Sequence, residues 1–430
     1  MLTRLDLRGV TPPDLRSRLP RPHDRGAAPV DAVREILAEV RKRGDAAVRE
    51  YTQRFDGVAL DDVRVDPAEL AAALRVTPPD LREALEVAKA NIVAFHRTQL
   101  RGDARHERDG LVVQELRRAI DRAGLYVPGG RARYPSTVLM TALPARVAGV
   151  EQLVLCVPPG ADGHVAPVTL AAAALAEVDA VYRIGGAQAV AAMAYGTETI
   201  EAVDVIVGPG NVWVATAKRE VAAEGAVGVP SAFTGPSEVV VVADDTTPPA
   251  LAAIDLIVQA EHGPDGLAWL ITWSEGTADA VTREVVTRVA ASPRRTEIES
   301  TLTGNGYAVV VDGPEQAMTV ANVIAPEHLQ LMSAEPEALV PLVRNAGAVF
   351  CGWYAPASVG DYVAGPSHVL PTFGSARFAG ALRVDDFLKQ LHVVTVDEAA
   401  LARLAPHVAA IAEAEGLVHH AESVRLRGEL

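Results

Sequence analysis

The chain is short of cysteine, of aromatic residues and of basic charge. Only 2 cysteines occur among its 430 residues. That number excludes a disulfide framework and a thiolate metal cage. Cys156 and Cys351 both lie in apolar runs that read as strands, so they are expected as packed thiols and not as nucleophiles. Aromatics make up 4%, while alanine and valine abound, a composition that suits helices packed on parallel sheets. Lys and Arg number 40 against 55 Asp and Glu, a net charge of −15, which argues against nucleic acid as a partner. No apolar stretch is long enough to span a membrane, and the N-terminus Met1-Leu-Thr-Arg-Leu-Asp-Leu-Arg8 lacks the apolar core of a signal peptide. A cytoplasmic protein without membrane or nucleic-acid partners is expected.

What is present is apolar and periodic. Hydrophobic residues reach 49%, which excludes disorder for most of the chain, and the length allows two or more domains. Residues 1–28 are rich in Pro and Arg and read as a loose arm. From about 30 to 100 the pattern is helical, with one stripe at Val33, Ile36, Leu37 and Val40 and another at Leu81, Leu85, Ala88, Ile92 and Phe95. Thr77-Pro-Pro-Asp80 marks a helix start between them. Leu111–Leu116 reads as an edge strand. Short strands then alternate with alanine-rich helices. The strands are expected at 152–157, 180–184, 203–207, 239–242, 267–272, 307–311 and 348–351. This alternation predicts an α/β fold of two Rossmann-like parallel-sheet units, separated near Gly228–Gly235. A helical N-terminal region precedes them, and a small helical appendage from about 386 follows outside any sheet. Segments from the two ends are free to complete either sheet.

Polar residues interrupt this pattern at a few places. In the run from Thr246 to Gly263, Thr247 fits an N-cap, Pro248 the first helical position and Gly263 a stop. Asp255, Gln259 and His262 then share one face of an otherwise apolar helix. Such a stripe costs burial energy unless a metal, a polar substrate or core hydrogen bonds satisfy it. Three glycine turns follow strands: Tyr126-Val-Pro-Gly-Gly130, Gly185-Gly-Ala-Gln188 and Gly208-Pro-Gly-Asn211. None is a G-x-G-x-x-G fingerprint, and none has an acid at the expected distance. Three turns on one sheet edge nevertheless favour a ligand crevice, with nucleotide binding of a non-standard kind. The arginines between Arg101 and Arg133 form a solvated face, or, nearest Gly129 and Gly130, a phosphate contact.

Glu327 and His328 place a carboxylate beside an imidazole. They are either surface polarity or two acid–base groups with separate tasks. Asp361 and His368 lie in a stretch of glycines and prolines that reads as a functional loop, although Asp361 would equally suit an Asx turn. Glu415, His419 and His420 sit on the terminal appendage, where solvent exposure is the ordinary expectation.

Taken together, these segments resemble the histidinol dehydrogenase family over nearly the whole chain. The resemblance rests on Tyr-Val-Pro-Gly-Gly at 126–130, Gly-Pro-Gly-Asn at 208–211, Gly-Pro-Ser-Glu-Val at 235–239 and Gln-Ala-Glu-His at 259–262. Ala-Pro-Glu-His-Leu at 325–329, Gly-Asp-Tyr at 360–362, Ser-His-Val-Leu-Pro-Thr at 367–372 and Glu-Gly-Leu-x-x-His at 415–420 complete it. Each is weak alone, but all of them in order are specific. Trp213 stands where tyrosine is expected, and Phe233-Thr234 where small residues are usual. Both departures are expected to touch turn packing more than chemistry.

The resemblance implies oxidation of L-histidinol to L-histidine through bound L-histidinaldehyde, with two hydride transfers to NAD, at the end of histidine biosynthesis. Gln259, His262 and Asp361 match zinc ligands from one subunit, and His420 matches the ligand from the other subunit of a homodimer. The same four residues, with Ser237, His328, His368 and Glu415, match substrate contacts. Tyr126, Gln188 and Asn211 match NAD contacts. His328 matches the general base, and Glu327 the group that activates water. An amide and a carboxylate make the donor set harder than most zinc sites, which predicts tolerance of Mn2+ or Co2+. Asp255 either supports His262 or is a helix-surface carboxylate.

The expected division is 1–119, an arm and helical region; 120–235, the NAD-side unit; 236–385, the unit with the metal and catalytic residues; and 386–430, a tail reaching the partner. Two other classes explain part of the pattern. A metal hydrolase using Glu327 leaves the glycine turns idle. A metal- or nucleotide-binding module leaves Glu327 and His328 without a task.

Overall fold

Runs of valine, leucine and alanine flanked by helices form two parallel sheets. The computed structural model describes residues 1–20, 28–129, 133–231, 235, 237–261 and 266–429. Its strands are β1 (Thr3–Asp6), β2 (Ala104–Arg108), β3 (Leu111–Ala119), β4 (Arg122–Tyr126), β5 (Gln152–Cys156), β6 (Ala180–Tyr182) and β7 (Val205–Val207). These are followed by β8 (Glu238–Ala243), β9 (Leu267–Thr272), β10 (Gly306–Val310), β11 (His328–Met332), β12 (Ala348–Cys351) and β13 (Leu388–Val396).

The first parallel sheet has the order β6-β5-β4-β7, and the second β1-β10-β9-β8-β11-β12. In each, the chain winds outward from a central strand and then returns to that strand's other side. The order reverses between β4 and β7 in one sheet and between β8 and β11 in the other. A reversal leaves a crevice at the strand ends, because the two connecting helices depart to opposite faces. The α/β class and the two sheet units are therefore as expected.

Alternation along each strand feeds two cores. Leu153 and Leu155 of β5 point to one face with Leu125, where Leu85, Ala88 and Ile92 of helix Pro79–Arg97 cover them. Val154 and Cys156 point to the other face. Val33, Ile36, Leu37 and Val40 of helix Val30–Arg43 and Tyr51 of helix Asp45–Asp56 pack there. Both apolar stripes read from the sequence are thus in use, although Phe95 turns outward at 37% exposure. In the second sheet, Val239 and Val241 join Leu270 and Val310 on one face, while Val240 and Val242 join Ile271, Val309 and Leu331 on the other.

The chain ends depart from expectation. The first residues are not a loose arm: β1 pairs with β10 at the edge of the second sheet, and Leu15 of helix Pro12–Arg18 is fully buried. The segment after 386 does enter a sheet. β13 pairs antiparallel with β3 from Leu388↔Ala119 to Val396↔Leu111. This makes β3 the centre of a three-stranded sheet, β13-β3-β2, and not an edge. Helices Glu398–Ala414 and Val418–Arg427 follow and pack on each other through Ala409, Ala412, Ala421 and Val424.

Four arginines of the basic run sit in ion pairs, Arg105 with Glu107, Arg117 with Glu115 and Asp385, Arg118 with Asp103, and Arg122 with Glu201, while Arg133 lines a cavity with Gly129. Arg131 and Gly130 lie outside the described residues. Cys156 is buried and Cys351 half-buried, both as free thiols. Among the described residues, no helix is long and apolar enough to cross a membrane.

Leu15→Ala tests the docking of the N-terminal segment. Loss of a fully buried leucine should cost about 2–4 kcal/mol in denaturant unfolding. A cost under about 0.5 kcal/mol, as for a surface change, would return the segment to a loose arm.

Candidate active site

The three glycine turns all leave the C-terminal ends of the first sheet. Tyr126 is the last residue of β4, and its hydroxyl accepts from Gly186 N at 3.1 Å. Gly186 has φ +64°, and a Cβ there would stand 2.6 Å from Gln188 Oε1. Gly208 has φ +105°, and its Cβ would lie 2.1 Å from the Tyr126 carbonyl oxygen, so only glycine fits this close approach. Buried Lys218 donates to the Gly208 carbonyl, and burial lowers its amine to about 7. Asn211 caps helix Val212–Ala223, its Oδ1 accepting from Trp213 N at 3.0 Å and Val214 N at 3.2 Å.

Tyr126, Gln188 and Asn211 line one cavity of about 630 Å3. Gln188 is 1% exposed and its Oε1 has no hydrogen-bond partner among the described residues. Leaving that acceptor unsatisfied costs about 1–3 kcal/mol. Trp213 lines the same cavity, so it touches the cavity as well as the turn. Phe233 and Thr234 lie outside the described residues.

Glu327 and His328 open β11, whose first pair with β8 is His328↔Val239. The peptide groups of Glu238, at the start of β8, hold both side chains. Its N–H donates to Glu327 Oε2 at 2.9 Å, and its carbonyl accepts from His328 Nδ1 at 3.1 Å. The two side chains therefore converge, with Nδ1 and Oε2 3.5 Å apart. The other ring nitrogen, Nε2, lies 3.3 Å from Asp361 Oδ1. The pair is buried, not surface polarity: Glu327 is 8% exposed and His328 4%.

Burial sets the protonation of this group. It raises the Glu327 carboxyl to about 7, against the pull of His328. Burial alone would strip the proton from His328, but Glu327 and Asp361 outweigh it and raise the imidazole to about 9. Glu238 is also buried, and burial plus the Glu327 charge raise its carboxyl to about 8.

Glu327, Ser237 and His368 line a small cavity of about 140 Å3 together with Gly208, Pro209 and Gly210. The N-terminal ends of β8 and β11 thus face the C-terminal glycine loop of the first sheet. That loop, continuing to Asn211, borders both cavities. His368 donates from Nδ1 to the Asp361 carbonyl at 2.8 Å, and its Nε2 accepts from Thr137 Oγ1 at 3.0 Å. Burial lowers its pKa, in keeping with a neutral ring.

The expected metal ligands are placed less uniformly. The helix with Gln259 spans Pro249–Ala260, starting one residue later and ending earlier than expected. Thr247 is not its cap, because the Thr247 hydroxyl donates to the Met332 carbonyl. His262 and Gly263 lie outside the described residues. Gln259 is 3% exposed. Asp255 is not a surface carboxylate: it is 8% exposed, its Oδ2 is unpartnered among the described residues, and burial raises it to about 6.

Asp361 lies on a short helix, Ala357–Tyr362, and not in a loop. Tyr362 links the two helices: after burial, the Asp361 and Glu261 carboxylates raise its phenol. Glu415 and His420 are exposed on the terminal helices. No group of three His, Cys, Asp or Glu gathers as a metal site among the described residues.

Two contributors escaped the sequence reading: Glu238 and Thr137. Glu238 acts through backbone atoms, which leave no mark in a sequence. Its only signal is an acid opening a wholly apolar run.

A family profile described as histidinol dehydrogenase matches residues 19–428. The chain is 49% identical to a histidinol dehydrogenase of Synechococcus sp. over 411 residues, covering 95% of this chain and 94% of that protein. It is 48% identical to that of Moorella thermoacetica, covering 92% and 94%. The crystal structure of histidinol dehydrogenase from Elizabethkingia anophelis superposes with a TM-score of 0.94 at 33% identity, covering 99% of this chain and 98% of that one.

The raised Glu238 carboxyl makes a stability prediction. Its folded value, about 8, lies above the unfolded 4.5, so the folded chain holds the proton more tightly. Stability is then lost as pH rises between those values. Glu238→Gln removes this loss, and should exceed the parent's stability by about 4 kcal/mol at about pH 8 and by under about 1 kcal/mol at about pH 5. Thermal melts at both pH values check it, and an equal difference at the two would refute burial as the cause.

Proposed function

The chain belongs to the histidinol dehydrogenase family, and from that premise we propose that it oxidises L-histidinol to L-histidine through bound L-histidinaldehyde, passing two hydrides in turn to NAD. The family places it among the oxidoreductases of histidine biosynthesis. The observation that carries the finer reading is the glycine loop Gly208–Asn211, which borders both the cavity of Tyr126 and Gln188 and the cavity of Glu327 and Ser237. A nicotinamide entering from the first cavity can reach a carbinol held in the second.

The Glu238 carbonyl holds the proton on His328 Nδ1, so Nε2 is the atom that exchanges; its own proton, held towards Asp361 at 3.3 Å, must leave first, and a cation bound at Asp361 would favour that loss. In the first oxidation, Nε2 takes the hydroxyl proton as hydride leaves the carbinol carbon. Glu327, poised near neutrality by burial, then takes a proton from the water that adds to the aldehyde. His328, having released its first proton to solvent, takes the hydroxyl proton of the hydrate as the second hydride leaves. Ser237 and His368 line the same small cavity and suit contacts to the substrate's polar ends.

Zinc belongs to this reading. The buried amide of Gln259 and the carboxylate of Asp361 are the kind of donors it needs, and His262 with His420 of the partner subunit would complete the set. When bound, the ion supplies a fixed positive charge that anchors the substrate's imidazole and amine. The hard oxygen donors also suit Mn2+ or Co2+. Exposure of Glu415 and His420 supports a homodimer in which each terminal arm serves the other subunit's site. The arm also shows exposed apolar side chains: Ile411, Leu417 and Val418. The free thiols Cys156 and Cys351 suit the cytoplasm.

Histidinol and NAD added to the metal-loaded protein should yield two NADH for each histidine formed. Hydrolysis of an amide or ester with no NADH would make the protein a hydrolase, and neither activity would leave a binding module. The shared site has its own test. Gln259→Ala and His420→Ala subunits, each inactive alone, should recover about a quarter of parental activity when mixed and exchanged, since half the dimers carry one intact site. Proven exchange without recovery would rule the shared site out.

A further inference from the structure

The first cavity holds one ionisable group that the reaction above does not use. Asp56 ends helix Asp45–Asp56, just before Gly57 in the left-handed conformation. Its Oδ2 is buried and has no hydrogen-bond partner among the described residues. Its carboxylate lines the same cavity as Tyr126, Gln188 and Asn211, near enough to Tyr126 to raise that phenol after burial has done so. Burial raises Asp56 itself to about 6.

Two unsatisfied acceptors, Asp56 Oδ2 and Gln188 Oε1, therefore belong to residues lining one cavity. A carboxylate and an amide oxygen both ask the occupant for donors. A vicinal diol offers two, at the spacing of a carboxylate's oxygens. Phe55 and Trp213 also line the cavity; the Phe55 ring is stacked on Tyr51 with Arg54 over it, and Trp213, 37% exposed, offers a flat face to a base. Among the described residues no lysine or arginine lines it. A phosphate ester on the diol would meet the negative charge of Asp56.

We infer that Asp56 accepts hydrogen bonds from the adenosine ribose hydroxyls of the dinucleotide and thereby sets a preference for NAD over NADP, an inference that rests on the nucleotide reading of this cavity. In dinucleotide-binding sheets the ribose acid ordinarily follows the glycine turn by about 20 residues. Here no acid stands there. The carboxylate comes instead from a helix before the sheet's first strand, held in place by Val48 and Tyr51 in the core under that face.

Calorimetric titration of the full-length protein tests this without requiring turnover. The parent should bind AMP roughly tenfold more tightly than 2′-deoxy-AMP, and NAD at least about 100-fold more tightly than NADP. In Asp56→Asn the AMP ratio should fall toward unity and the NADP penalty to within about tenfold, with the KM for histidinol unchanged. Asp56→Glu should keep the preference. Equal binding of AMP and 2′-deoxy-AMP by the parent would overturn the inference, and needs no variant. So would unchanged ratios in Asp56→Asn. A parent that binds AMP without ribose discrimination loses only the role of Asp56, whereas one that binds neither AMP nor NAD loses the nucleotide reading as well.

Discussion

The peptide groups of Glu238 are the constraint on which the candidate catalytic centre depends. Backbone N–H and C=O at the start of β8 reach Glu327 and His328 at the start of β11. Neither side chain could be aimed so closely by another flexible side chain. The aim follows from parallel register: His328 stands opposite Val239, so Glu238 is one step earlier on the neighbouring strand. A slip of one residue would turn His328 to the opposite face and leave the Glu238 groups unpaired. Sheet closure and placement of the acid–base pair are one event.

This placement is held against electrostatic cost. Glu238, Glu327 and Asp361 crowd one imidazole, and the first two are nearly excluded from water. Such crowding does nothing for folding, because burial disfavours each charge. It does put a carboxyl and an imidazole within reach of neutral pH, the condition for moving protons in both directions. The apolar strands around them absorb the cost, since both faces of the second sheet are filled by valine, leucine and alanine.

Much of this was legible before the structure. The strand–helix alternation was read from the short valine-rich runs, and the C-terminal strand ends from the three glycine turns. β1 and β13 were missed for a physical reason. Each is largely solvent-exposed and pairs with a strand far away in sequence; β1 is too short to show alternation, and the apolar Leu391, Val393, Val394 and Val396 of β13 face outward. β11 was missed because polar residues open it. The helix at Asp361 is too short, at 6 residues, to show a period. Thr247 looked like a cap because a hydroxyl before prolines usually is one, but the Met332 carbonyl claims it. Hydrogen bonds from backbone atoms, such as those of Glu238, and an acid supplied from a distant helix, such as Asp56, have no local pattern at all.

The pairing of β1 with β10 bears on how the chain is made. All strands of the first sheet have been synthesised once Val207 emerges, so that half can close during translation. The second sheet must hold its first strand in reserve until Gly306–Val310 appears, and its acid–base pair only comes together once β11 follows. The antiparallel arm waits longer still, for Leu388–Val396. Reactive groups are thus assembled last, on a scaffold whose glycine-turn half is already folded, and a nascent chain interrupted before residue 328 carries no acid–base pair to misfire.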